Sequence, residues 1–191
     1  MNKIHTWLNR WFGNAEEING GGICPTYLYR WVLCKLPRGY KAYLHHFVGD
    51  DWSLDYHDHP KRFISIGLWG SYVERTPLTD AEEAACKAEL DASLKRLEAR
   101  AKESGMDAEV TFTGEVEMWD EQTYQAPWIR SFPAEWKHRI RTPSGSCWTL
   151  VIVGAPSRDW GFWHQGQFIG WKRYVRGEDT REIRESRKAC D

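Results

Sequence analysis

The run SLDYHDHP carries two histidines two residues apart, His57 and His59, and a third, His138, stands far along the chain in FPAEWKHRI. Neutral imidazole offers a lone pair in a fixed direction and is the commonest protein donor to a transition metal. On an extended segment the side chains at i and i+2 project to the same side. The rings of His57 and His59 can therefore reach one ion if a third donor arrives from a neighbouring strand. His138 is the best candidate for that donor. Such a set would support the chemistry of a divalent ion with open positions, which polarises a substrate oxygen or activates dioxygen. The plain alternative is that these histidines are satisfied core residues or exposed cross-strand partners.

Other polar and aromatic residues near these motifs are candidates for contacts beyond the ion. Asp55 alternates onto the face of His57 and could orient its imidazole as an acceptor, or serve as a solvated loop carboxylate. His45 and His46 are adjacent, so only one can face inward, and His46 is carried as a candidate beside the site. Glu135 could supply a carboxylate or occupy a surface turn. Arg62, like Arg130, Arg139 and Arg141, flanks the motif strands and could bind a carboxylate or phosphate, although outer-wall ion pairing is the ordinary role of such residues. Trp148 and Trp163 could wall a pocket for a ring or sugar, or pack in the core.

The elements that must position these residues are mostly strands. TYLYRWVLCKL, KAYLHHFV, SLDYHDH and RFISIGLWGSYVERT are rich in β-branched and aromatic residues and are separated by Pro and Gly. Pro60 should interrupt the third of them, and Gly67 and Gly70 mark bends in the fourth. EVTFTGEVEMW, WIRSFP, HRIRT, CWTLVIVG and GQFIGWKRYV continue the pattern. Two helices interrupt it. Ile4, Trp7, Leu8 and Trp11 have helical spacing ahead of Gly13, and residues 80–104 hold no strand formers, open on an Asp80/Glu83 capping pattern and end at Gly105. The tail, residues 177–191, alternates acid and base and reads as a solvated helix. Many short strands with one inserted helix predict an antiparallel barrel or sandwich.

Composition removes several function classes. Lys plus Arg at 26 against Asp plus Glu at 27 leaves a net charge of -1, without the basic excess that draws a chain to nucleic acid. No segment approaches the roughly 20 apolar residues of a membrane span, and MNKIHTWLNRWFG is too polar for a secretory signal, so a cytoplasmic protein is expected. The five cysteines form no CxxC pair and are odd in number, which predicts reduced thiols.

The motifs resemble the cupin superfamily. Its first motif runs HxH, then Glu four residues on and Gly seven further; His57, His59 and Gly70 are in register, and Phe63 stands at the Glu position. Its second motif, PxGxxH, is matched by Pro133 and His138, with Glu135 in place of Gly. The resemblance spans roughly residues 27–171. DDWSLDYHDHPKRFISIGLWGSY and RDWGFW also look like small cupin-like proteins, several of them encoded by bacteriophages and bacteria. It implies an all-β fold with helical additions: a cupin-like antiparallel β-barrel (double-stranded β-helix, or jelly roll) with an N-terminal helix and the helix inserted at about 80–104. Residues 1–191 would form a single domain with its core at about 27–175.

The same resemblance implies one divalent metal ion, Fe2+ foremost, with Mn2+, Ni2+ or Zn2+ as alternatives, because each accepts imidazole. With Phe63 replacing the Glu, three histidines would hold it, as in the thiol dioxygenases that this set resembles. The expected function is a metal-dependent oxygenase acting on a small polar or anionic metabolite. The alternative is a non-catalytic cupin that binds, senses or sequesters a small ligand such as a nucleotide or sugar. Cupins often pair through outer strands, so a homodimer would fit, but no residue decides it.

Overall fold

The computed structural model describes residues 3–20, 24–104, 118–142 and 145–176. Helix α1 (Lys3–Phe12) precedes β1 (Glu16–Ile18), β2 (Leu28–Lys35) and β3 (Lys41–Phe47). The short β4 (Tyr56–His57) and the long β5 (Phe63–Pro77) lead to α2 (Asp80–Glu103). After it come β6 (Trp119–Gln125), β7 (Trp128–Phe132), β8 (Arg139–Arg141), β9 (Cys147–Val153), β10 (Gly161–His164), β11 (Gln167–Gly170) and α3 (Trp171–Arg176). The chain separates into two compact units, residues 1–76 with 121–191 and residues 77–120.

One sheet runs β1-β2-β3-β9-β5-β6, with β7 and β8 also paired to β5, and a second runs β11-β10-β4. Two antiparallel sheets with an N-terminal helix are consistent with a cupin-like jelly roll. The strand pairings among the described residues form two sheets and show no closed barrel. Two local causes are visible. The first half of β5 pairs with β9 and β7, whereas residues 73–75 pair with β8. The change falls at Gly70, whose φ is +77° and where a Cβ would lie 2.2 Å from the Ser146 carbonyl oxygen, so only glycine fits the bend. The second cause is the motif SLDYHDH, of which only Tyr56 and His57 enter a ladder. Side-chain carboxylates take over the backbone donors there: Asp51 accepts from Ile140 N at 2.7 Å and Asp58 from Gly161 N at 2.9 Å.

Strand alternation gives the larger sheet two distinct faces. Tyr43, His45 and Phe47 of β3 face the interior with Thr149, Val151 and Val153 of β9. The opposite face carries His46, Trp148 and Trp31, which meet His5 of α1. Leu28, Phe47, Tyr72, Ile140 and Cys147 form one buried cluster, and Cys24, Trp52, Phe162 and Tyr174 form another. The second explains why GQFIGWKRYV is not a single strand. Beyond Gly170 the chain turns helical, and Tyr174 in α3 is fully buried, stacked on Phe162 at 3.9 Å.

Helix α2 is where the sequence places it, but its cap sits one residue earlier. Thr79 Oγ1 accepts from Glu82 N at 3.4 Å and the Glu82 carboxylate accepts from Thr79 N at 2.8 Å. Cys34, Cys86 and Cys147 are free thiols, whereas Cys24 is disulfide-bonded, against the expectation of reduced cysteines. Most of EVTFTGEVEMW and the tail at 177–191 lie outside the described residues. No helix among the described residues is long and apolar enough to cross a membrane.

Candidate metal centre

The backbone brings the histidine pair and the third histidine together. His57 N donates to His138 O and His138 N to His57 O, both at 3.0 Å, and His59 N donates to Ala134 O at 3.0 Å. This reciprocal bridge stands in for a longer ladder and sets the His57 and His138 rings 4.8 Å apart, centroid to centroid. The ring of His59 lies 4.9 Å from that of His138 and 5.2 Å from that of His57. One nitrogen from each ring lies within 4.8 Å of the other two.

Two features fit this cluster to a divalent ion. His59 Nε2 and His138 Nε2 are 2.9 Å apart. Two nitrogens bonded to one ion at about 2.1 Å, at right angles, would be about 3 Å apart. The second feature is protonation. Burial, and then the neighbouring His138, push both His57 and His59 well below the ordinary imidazole range, so each ring is neutral and keeps one nitrogen lone pair.

Behind the cluster stands a carboxylate that sequence reasoning missed. Glu74, on β5 and 2% exposed, accepts from His138 Nδ1 at 2.6 Å, from Arg130 Nη1 at 2.5 Å and from Trp136 Nε1 at 3.1 Å. Burial alone would raise its pKa, but the bonds from His138 and Arg130 together draw it below the usual range. An ionised Glu74 keeps the His138 proton on Nδ1 and leaves Nε2 as the donor. The one signal in the sequence is a lone acid inside the strand formers of SYVERT. Asp51, also missed, lies with Oδ2 3.5 Å from His57 Nδ1, and burial raises its pKa to about 6.

Phe63, at the position of the family Glu, offers no donor. Its ring meets His59 edge-on at 4.6 Å and stacks on Phe132 at 4.6 Å. The cluster opens on a cavity of about 670 Å³, whose lining includes Tyr27, Tyr72, Phe132 and Phe162.

The remaining candidates lie elsewhere. Asp55 accepts from Tyr174 Oη at 2.6 Å and lies 3.1 Å from His164 Nδ1, not beside His57. Arg62 and Glu135 are exposed. His46 faces α1, with Nδ1 2.7 Å from His5 Nε2 and its ring stacked 3.9 Å from that of Trp148. His45 is therefore the member of the pair that faces the cavity. Trp163 donates to Asp58 Oδ2 at 3.1 Å and carries Lys137 Nζ 3.3 Å over its ring, which ties down the histidine loop.

The buried imidazoles make stability pH-dependent. Desolvation lowers His45 to about 3 and His46 to about 4, and lowers His57 and His59 in the same direction. Below about pH 6.5 the unfolded chain takes up protons that the folded chain refuses, so this stability is full above pH 6.5 and is lost as pH falls towards the folded-state values. Each group contributes a slope of about 1.4 kcal/mol per pH unit. Asp51 acts oppositely: with its folded value raised to about 6, it offsets one histidine below that pH. Thermal melts of metal-free protein should therefore fall steadily from pH 6.5 to 4.5; a flat profile would contradict the burial of these rings.

No family model matches the chain, and no curated protein matches it. Among solved structures it is distantly similar to several cupin-superfamily proteins. One from Desulfitobacterium hafniense is 13% identical with a TM-score of 0.35, the match covering 66% of this chain and 75% of that one. An RmlC-like cupin from Ralstonia eutropha is 10% identical with a TM-score of 0.42, over 86% and 79% of the two chains. A DMSP lyase from Ruegeria pomeroyi is 12% identical with a TM-score of 0.39, over 68% of this chain and 48% of that one. Likeness at this distance singles out no subfamily and no reaction.

Proposed function

We propose that the chain is a metal-dependent oxygenase of the cupin type, one domain with a helical insertion. His57, His59 and His138 hold one divalent ion, iron(II) foremost, and a small polar or anionic metabolite enters the adjoining cavity. The observation that carries this reading is the convergence of three imidazoles, two of them held neutral by burial, with the third oriented by Glu74. An ion bound there supplies Lewis acidity and, if it is iron, redox chemistry. The chain's own residues do the rest. Glu74 holds a proton on His138 Nδ1, and the bond from His138, with a smaller share from Arg130, keeps that carboxylate ionised. Phe63 and Phe132 exclude water from one flank, where a fourth protein ligand would otherwise stand.

Protein purified without added metal should contain about one equivalent of iron and consume oxygen with at least one member of a broad metabolite panel. Stoichiometric iron with no oxygen uptake across the panel would count against the oxygenase. The cavity's aromatic lining also suits a ligand-binding role without turnover, in which a compound is recovered from the protein unchanged.

A further inference from the structure

One register row of the larger sheet carries polar atoms that the metal cluster does not use. His45 on β3 pairs directly with Thr149 on β9, and Thr149 pairs in turn with Gly67 on β5. Both His45 and Thr149 line the cavity. Thr149 is 1% exposed, yet its Oγ1 has no hydrogen-bond partner among the described residues, and His45 Nε2 is likewise buried without one. Gly67, on the far side of Thr149, brings no side chain that could serve. A buried polar atom left unpaired is costly, and two in directly opposed residues of one wall are not what packing alone would select.

We infer that His45 and Thr149 form a hydrogen-bonding subsite for the uncharged, hydroxyl-bearing part of a small ligand. Side chains opposed across an antiparallel pair stand about 5 Å apart at Cβ, so their polar tips suit neighbouring hydroxyl groups on one molecule. A neutral group is favoured over a carboxylate for two reasons. Burial keeps His45 uncharged at ordinary pH. The nearest cation in register, Arg30, pairs with His45 across β2 and β3 but is already bound to Glu16 Oε2 at 2.6 Å. The subsite rests on the cavity being the ligand chamber of the proposed function, and does not need the ion.

The test uses the zinc-loaded full chain and two probes of matched size, cis-1,2-cyclohexanediol and cyclohexanecarboxylate. Long-range imidazole NMR should show the His45 Nε2 resonance moving with the diol and not with the carboxylate. Thr149→Val should weaken diol binding about 5- to 10-fold, the loss of one hydrogen bond. It should also leave the melting temperature unchanged or raise it by about 2–4 °C, because an unpaired hydroxyl is removed. Thr149→Ser should restore diol binding. An unmoved His45 resonance, unchanged diol affinity in Thr149→Val, or a lowered melting temperature in that variant would overturn the subsite. A chain that binds the diol in this manner but takes up no zinc would refute the metal reading and leave this one standing.

Discussion

Replacing His59 with alanine is expected to abolish stoichiometric metal retention and the thermal stabilisation that metal confers. Structural zinc sites with four ligands bind with about 10–16 kcal/mol, so one imidazole is worth about 2.5–4 kcal/mol, on the order of a hundredfold or more in Kd. His59 is the most informative choice because its Nε2 makes the closest approach, 2.9 Å, to His138 Nε2, while its ring holds neither Glu74 nor Asp51. An ion present at a hundred times its Kd stabilises the fold by about 2.7 kcal/mol, so a chelator should lower the wild-type melting temperature by several degrees. In His59→Ala the chelator should have no effect. Equal metal content in the two proteins, or equal sensitivity to chelator, would show that the ion is held elsewhere.

Glu74→Gln is expected to produce the second large effect, through two separate losses. Glutamine keeps the shape of the side chain but can donate to His138 Nδ1. That would move the imidazole proton to Nε2 and block the donor, weakening metal binding by about 10- to 100-fold. The other loss is electrostatic. Arg130 Nη1 bonds to Glu74 at 2.5 Å, and its side chain is only 19% exposed. Removing one partner of a buried pair costs about 3–5 kcal/mol, with the lower figure apt here because Arg130 retains some contact with solvent. A fall of about 6–12 °C in melting temperature would follow. Arg130→Met separates the two losses, since it should reduce stability while leaving the His138 tautomer, and hence metal binding, within a few fold of wild type.

The parts of the site legible in the sequence were those with local periodicity. The i, i+2 spacing of His57 and His59 puts both rings on one side even though only two residues of that segment enter a ladder. Pro133 precedes the turn at Ala134 and Glu135, and His138 beyond it is zipped to the first motif by the His57 to His138 bridge. Glu74 was not legible, because its role depends on β5 changing partners at Gly70 and carrying its end past His138. The choice between His45 and His46 was open for a similar reason: alternation says that one faces inward, and only docking of α1 on the other face decides which. Trp148 follows His46 outward for that cause. α3 was hidden by a strand-like composition, since Trp171, Tyr174 and Val175 satisfy helical spacing only once the cluster around Phe162 is present to receive them.

X-ray absorption on the metal-loaded protein, paired with the same measurement on His138→Ala, addresses the proposed centre most directly. The account predicts three imidazole nitrogens at about 2.1 Å in the wild type and one fewer in His138→Ala measured in the presence of excess metal. An identical coordination shell in both proteins, or a wild-type shell built from sulfur or carboxylate oxygen without imidazole, would contradict it.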